Sequence, residues 1–304
     1  PASSSAVVSS SSAAVVSSSS VVASSSSAVV SSSFAPPSSS QGGSSSSGGL
    51  PPTAYAWAHT PTTLYRVNMA DFTLEAAWFF VFRNEDGSTR TDQEMVDIAL
   101  SSAGEMYGVS WNPAQTGTGT HHLYRIAVPT TVGVGQAVAT RVGQLSWYYN
   151  ALAFAPAGTV RPTEVLIALD NETQLAQSFM DILDTTNGTT TVVGGLGNDL
   201  KSSGDVVAIN GLGIFAAVKD TAGTNFLASL SNVGTATILG GDLGFTNVWG
   251  LAYWDGVLLG YTQAGQVLSI NPVTGAATLV WDYNNPEVPF YGAAVSPNVP
   301  LMVP

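Results

Sequence analysis

Trp249-Gly250-Leu251-Ala252-Tyr253, Val257-Leu258-Leu259-Gly260-Tyr261, Val267-Leu268-Ser269-Ile270 and Ala277-Thr278-Leu279-Val280 succeed one another with only short breaks. Two of the breaks, Asp255-Gly256 and Asn271-Pro272-Val273-Thr274-Gly275, carry turn chemistry. Gly reaches the left-handed conformation without strain, and Asn and Asp side chains bond their own backbone. Each run is short, apolar and rich in β-branched or aromatic residues, as strands are. The stretch reads as four successive strands joined by tight turns.

The same cycle recurs upstream. First and second strands are expected at Val96–Leu100 with Glu105–Val109, Ala151–Phe154 with Glu164–Ala168, and Asp205–Ile209 with Leu212–Ala217. Third strands are expected at Leu123–Ile126, Ala176–Met180 and Phe226–Leu230, and fourth strands at Ala139–Val142, Thr190–Val193 and Ala236–Leu239. The repeat spacing is about 42–55 residues, the length of a four-stranded unit.

The two ends of the repeat array are out of phase. Tyr55–His59 reads as a second strand, Leu64–Val67 as a third and Leu74–Trp78 as a fourth, so the N-terminal piece lacks a first strand. The C-terminal run Tyr291-Gly292-Ala293-Ala294-Val295 is a first strand alone. Pairing the two ends completes one unit and closes the array without a major open edge. This pattern resembles a β-propeller over roughly residues 53–299. The resemblance implies an all-β, five-bladed ring closed by pairing of the N- and C-terminal strands. Asn271–Thr278 is similar to the strand-turn-strand segment of bacterial secreted and cell-surface propellers. The one Trp-Asp dipeptide, Trp281-Asp282, is expected past a fourth strand and does not recur.

Residues 1–52 are expected to form a separate extended segment, almost pure Ser, Ala, Val and Gly and without a charged residue. Ser runs alternate with the pairs Val7-Val8, Val15-Val16, Val21-Val22 and Val29-Val30, and Phe34 follows. Ordering fifty residues costs on the order of 50–100 kcal/mol in backbone entropy. Burying each Val returns only about 1.5–3 kcal/mol. Such a segment orders only against a continuous partner. Extended, it reaches about 165–180 Å, past several neighbouring domains. The Val pairs and Phe34 are therefore the expected assembly contacts of a head-to-tail homopolymer. The hydroxyl clusters Ser9, Ser10, Ser11, Ser12, Ser17, Ser18, Ser19, Ser20, Ser24, Ser25, Ser26 and Ser27 are expected to carry covalent glycans. Asn171-Glu172-Thr173 and Asn187-Gly188-Thr189 match the N-glycosylation pattern.

Charge and composition narrow the partners. Twenty acids against eight Lys and Arg give a net charge of −12, which repels nucleic acid. No run of eighteen apolar residues is present, so no membrane span is expected. Without Cys there is no disulfide framework and no thiolate metal site. Sparse charge with much Ser, Thr and Gly fits a secreted or cell-surface protein.

Motifs for chemistry are few. There is no Gly-x-Ser-x-Gly and no phosphate loop, so no catalytic residue and no cofactor is expected. His121-His122 is adjacent, which in a strand points the rings to opposite faces; it reads as an exposed loop. The acids Glu85, Asp86, Asp92 and Glu94 fall on one connection, lack calcium-loop spacing and read as a solvated loop. Asp97 and Asp205 open first strands, with Asn150 at the matching place; they are expected at the central channel, as a cation or sugar site or as caps of backbone groups. Trp147-Tyr148-Tyr149 is the densest aromatic run and a candidate glycan contact. The expected function is a structural subunit of an extracellular fibril. A glycan-binding module on a Ser-rich stalk and a secreted enzyme acting on polysaccharide are the alternatives.

Overall fold

The computed structural model describes residues 55–114, 121–128, 133–285 and 287–299. The chain divides into Pro1–Gly48 and Gly49–Pro304, and every described residue lies in the second unit. The described residues are all strand, turn and loop. The Val pairs, Phe34 and the Ser clusters of residues 1–52 lie outside them.

Three four-stranded antiparallel sheets account for the middle and end of the domain. The first contains β9 (Tyr149–Ala155), β10 (Val165–Asp170), β11 (Phe179–Leu183) and β12 (Thr190–Gly195). The second contains β13 (Lys201–Ile209), β14 (Gly213–Lys219), β15 (Asn225–Leu230) and β16 (Ala236–Ile238). The third contains β17 (Val248–Trp254), β18 (Val257–Thr262), β19 (Gln266–Ile270) and β20 (Ala277–Asp282). Within each, consecutive strands are neighbours, the arrangement that short turns allow.

The remaining strands form one nine-stranded sheet. One run is β21 (Gly292–Ala294), β1 (Tyr55–His59), β2 (Thr63–Asn68) and β3 (Leu74–Arg83). The other is β5 (Glu94–Leu100), β6 (Met106–Trp111), β7 (His122–Ile126) and β8 (Val134–Gln144). The first and last described strands meet, β1 pairing with β21 with Trp57 opposite Ala294 and His59 opposite Gly292. The two runs are joined by a parallel pairing of β3 with β8, from Ala77–Val134 to Arg83–Thr140. Both strands run past the residues that pair within their own four, and the overhangs find each other. The short β4 (Thr89–Arg90) folds back on the end of β3.

Four expectations are corrected. The third strand read at Ala176–Met180 lies at Phe179–Leu183, because Ser178 instead bonds across to Leu196 and Leu200 through its backbone. Trp281-Asp282 belongs to the fourth strand β20, held by pairing with Val267 and Gln266. The connection from Arg83 to Met95 is not simply a solvated loop. It contains β4, and Asp92 accepts from Arg90 and Asn112 at 2.8 Å each. His122 is buried in β7 rather than exposed, with Nδ1 3.2 Å from Gln93 Oε1.

The inner strands β5, β9, β13, β17 and β21 contact one another in a closed cycle, β21 returning to β5. Small side chains permit this convergence: Ala99, Ala151, Ala208, Ala252 and Ala293 are all buried on them. Larger side chains fill the wedges further out, with Trp57 against Trp78 at 5.6 Å and Phe82 against Tyr124 at 5.1 Å between ring centroids.

Candidate functional site

Five inner strands brought together leave backbone N–H groups facing the centre without a ladder partner. Buried donors must be paired. Asp97 and Asp205 supply the pairing. Asp97 accepts from its neighbour Ile98 at 2.8 Å and from Leu152 on the next inner strand. Asp205 accepts from Val206 at 2.6 Å, from Leu251 at 2.5 Å and from Ala293. The two carboxylates thus reach one amide on each of the five inner strands.

The two carboxyls are neighbours, near enough for each to act on the ionisation of the other. Both are fully buried. Burial pushes both above the usual carboxylate range, and the Asp205 charge raises Asp97 further. His59 Nε2 stands 3.9 Å from Asp97 Oδ1, and burial lowers this imidazole to about 4. His59 Nδ1 lies 2.9 Å from the Thr60 carbonyl, so a neutral ring donates from Nδ1 and keeps a lone pair on Nε2. Gly292 is required beside them, because a Cβ there would run into Asp97 Oδ1 and His59 Nε2. The capping role anticipated for the two acids is the one the geometry shows. Asn150 does not share their register: the residue at the matching place is Ala151, whose neighbour Leu152 donates to Asp97.

Directly beside this buried pair opens a cavity of about 380 Å³. Its floor comes from one repeated irregularity. Each inner strand except β21 loses register with its neighbour at the same place. The unpaired residues are Val96 on β5, Asn150 on β9, Ser203–Asp205 on β13 and Trp249 on β17. A bulge re-aims a side chain out of the sheet's regular alternation. The cavity is lined by Val96, Asn150, Ser203, Gly204 and Trp249 from these bulges, and Tyr291, just ahead of β21, completes the ring.

The lining is aromatic and amide-rich. Trp249 and Tyr291 meet edge-to-face at 4.9 Å. Tyr148 stands on another side, its ring 5.2 Å from His121 and 6.1 Å from Trp111. Burial, then Tyr291 and Asp97, raise the Tyr148 phenol to about 12, so it keeps its proton. Asn171, Asn225, Asn247 and Lys219 complete the polar contacts. Asn247 is fastened by donation to Gln263 at 2.9 Å. Asn150 Oδ1 is buried without a hydrogen-bond partner among the described residues. Such a wall can stack a flat apolar face and satisfy hydroxyls around its rim.

Of the expected glycan contacts, only Tyr148 lines the cavity. Trp147 is 39 % exposed and points elsewhere on the surface. Tyr149 is buried and donates its hydroxyl to Asp181 at 2.5 Å, which removes it from any sugar. Asn187 is exposed in a turn, where its side chain accepts from Thr189 at 2.8 Å. Asn171 is half-buried in the cavity wall. Trp249 and Tyr291 escaped sequence reading as ligand contacts because each belongs to an apolar run that reads as a strand. The available signal was their shared place, one residue ahead of Gly250 and Gly292, matching Val96 ahead of Asp97. Among the described residues, no group of three or more His, Asp and Glu is arranged to hold a metal ion. No described helix is long and apolar enough to cross a membrane.

No protein-family model and no curated protein matches the chain. Similar solved structures include the calcium-binding protein regucalcin from Agrobacterium tumefaciens, 13% identical with a TM-score of 0.37, matching 83% of this chain and 80% of that one. TolB from Acinetobacter baumannii is 12% identical with a TM-score of 0.43, covering 73% and 62%. A structural-genomics protein of unknown function from Bacteroides thetaiotaomicron is 13% identical with a TM-score of 0.42, covering 75% and 57%. The chain thus spans under two thirds of the length of two of these three. The neighbours are propeller-like, and likeness at this level carries no argument about ligand or activity.

Proposed function

We propose that residues 55–299 form a five-bladed β-propeller that binds carbohydrate in the cavity at the mouth of its axis. The blade count rests on the four-strand runs, two of them merged through β3 and β8, and on the closed cycle of inner strands. The binding reading rests on one observation: the bulges on four inner strands deliver Val96, Asn150, Ser203 and Trp249 to a single cavity already walled by Tyr148 and Tyr291. Aromatic rings with amide and hydroxyl groups around them suit a sugar, whose C–H face stacks while its hydroxyls exchange hydrogen bonds. Titration calorimetry of the full chain against a panel of oligosaccharides tests this. A binder should emerge, and Trp249→Ala should weaken it at least ~10-fold, the effect of losing a central aromatic contact. If no saccharide on the panel binds, or Trp249→Ala binds as tightly as the parent protein, the reading fails.

A second reading concerns assembly. The regular Val pairs of residues 1–52 favour an extracellular fibril in which this segment joins successive copies head to tail. The two readings are compatible: a filament held by its N-terminal segments would display the cavity on every copy. Glycans on the Ser runs remain part of this proposal, checked by intact mass against the bare 31.2 kDa.

A further inference from the structure

The cavity has a charge character opposite to that of its protein. The chain carries −12 overall, yet no Asp or Glu is among the residues lining this cavity. Its one charged lining residue is Lys219, at the end of β14. The chain has only two lysines, and they are used differently. Lys201 Nζ is spent on the Glu172 carbonyl at 3.0 Å and the Thr173 carbonyl at 3.4 Å. Lys219 Nζ has no ion pair or hydrogen bond among the described residues. The nearest acid in sequence, Asp220, already accepts from the amides of Ala222 and Thr224 at 2.9 Å each. A half-buried lysine whose ammonium is left unpaired in a strongly acidic protein has a role waiting for an incoming anion.

The acceptor and donor set around it is also specific. Asn150 Oδ1 is buried and unpartnered, so it needs a donor such as a hydroxyl. The Ser203 hydroxyl and Asn225 are bonded to each other, which fixes one wall. Trp249 and Tyr291 supply the stacking face. A cavity of about 380 Å³ is near the lower end of the ~300–1,000 Å³ common for small ligands. It suits a terminal or single sugar unit rather than a long chain.

We infer that the ligand is an anionic saccharide, with its carboxylate or sulfate on Lys219, its ring against Trp249 and a hydroxyl donating to Asn150 Oδ1. This rests on the carbohydrate reading above and assigns the chemical class within it. A neutral sugar would offer Lys219 only hydroxyl acceptors and no opposite charge to offset its desolvation, a weaker contact for a cation.

The test uses the full chain and calorimetry with three probes: a uronic acid oligomer, the methyl ester of the same oligomer, and a sulfated oligosaccharide of neutral backbone. Esterification removes the charge and keeps the ring. At least one of the acid and the sulfate should bind about 10-fold more tightly than the ester, the worth of one charge-assisted contact. Which of the two does so identifies the anionic group. That advantage should vanish in Lys219→Gln and shrink as salt rises. Trp249→Ala should weaken acid and ester alike. Equal binding of acid, sulfate and ester, or an advantage that survives in Lys219→Gln, overturns the inference while carbohydrate binding stands. If none of the probes binds and no neutral oligosaccharide binds either, both the inference and the carbohydrate reading fall.

Discussion

Asp97 and Asp205 sit where five backbones converge, and their hydrogen bonds to Ile98, Leu152, Val206, Leu251 and Ala293 explain why acids are tolerated there. Removing either strands buried donors at a cost of about 1–3 kcal/mol each. Asp205→Ala should therefore destabilise more than Asp97→Ala, read as denaturant midpoints. The raised ionisation of both carboxyls adds a pH signature. A carboxyl held protonated in the fold but free to ionise when unfolded gives stability that is complete below its unfolded pKa near ~3.9. That stability drains as the pH rises, by about 1.4 kcal/mol per pH unit for one proton. The pair's contribution to the unfolding free energy should thus fall from about pH 4 to about pH 8, where Asp205 ionises in the fold. His59, lowered to about 4, acts in the opposite sense between about pH 4 and 6.5, so the net fall is read above pH 6.5. Asp97→Asn removes one of the two raised carboxyls and should make that fall shallower; an unchanged slope would show that Asp97 is not held protonated in the fold. Gly292→Ala should also be severe, because the new methyl meets both Asp97 and His59; a loss of about 1–3 kcal/mol or more is the cost of overpacking, and a variant that melts with the parent would refute the contact.

At the scale of the element, the inner strands do two jobs with one irregularity. The bulges at Val96, Asn150, Ser203–Asp205 and Trp249 interrupt pairing just where the strands converge. They free amides for the two acids and turn side chains into the cavity. Strand β21 is only three residues long yet touches β1, β5, β13 and β17. Deleting Tyr291–Val295 should leave β1 as an open edge and lower the melting temperature markedly. A truncated protein that melts like the parent would show that the end pairing contributes nothing to closure.

Across the whole molecule, the domain and the N-terminal segment make separable predictions. Without residues 1–48 the protein should stay monodisperse by light scattering at high concentration and keep its saccharide binding. Full-length protein should form filaments. Filaments of the same form from the truncated protein, or a strictly monomeric full-length chain, would remove the fibril reading and leave the binding module.

Much of the architecture was legible because strand periodicity and turn residues are local properties. The cycle Trp249–Val280 is recognisable from its own side chains, as are the half-units at Tyr55–Trp78 and Tyr291–Val295. The acids Asp97 and Asp205 were legible as central because each stands at the head of an apolar run that reads as a first strand, although β5 and β13 both begin earlier. The extra lengths of β3 and β8 were not, since they are held by pairings outside their own four strands, β3 with β8 and with β4. Nor was the cavity. Trp147, Tyr148 and Tyr149 are consecutive, yet one lies on the surface, one in the cavity and one against Asp181. Which side chain a strand turns toward the centre depends on the register it adopts with its partner. A bulge is a relation between two strands and leaves no mark in either alone. The sequence by itself determined the four-strand repeats and the acids on their inner strands; only the tertiary structure decided that Trp249, Tyr291, Asn150 and Lys219 line one cavity.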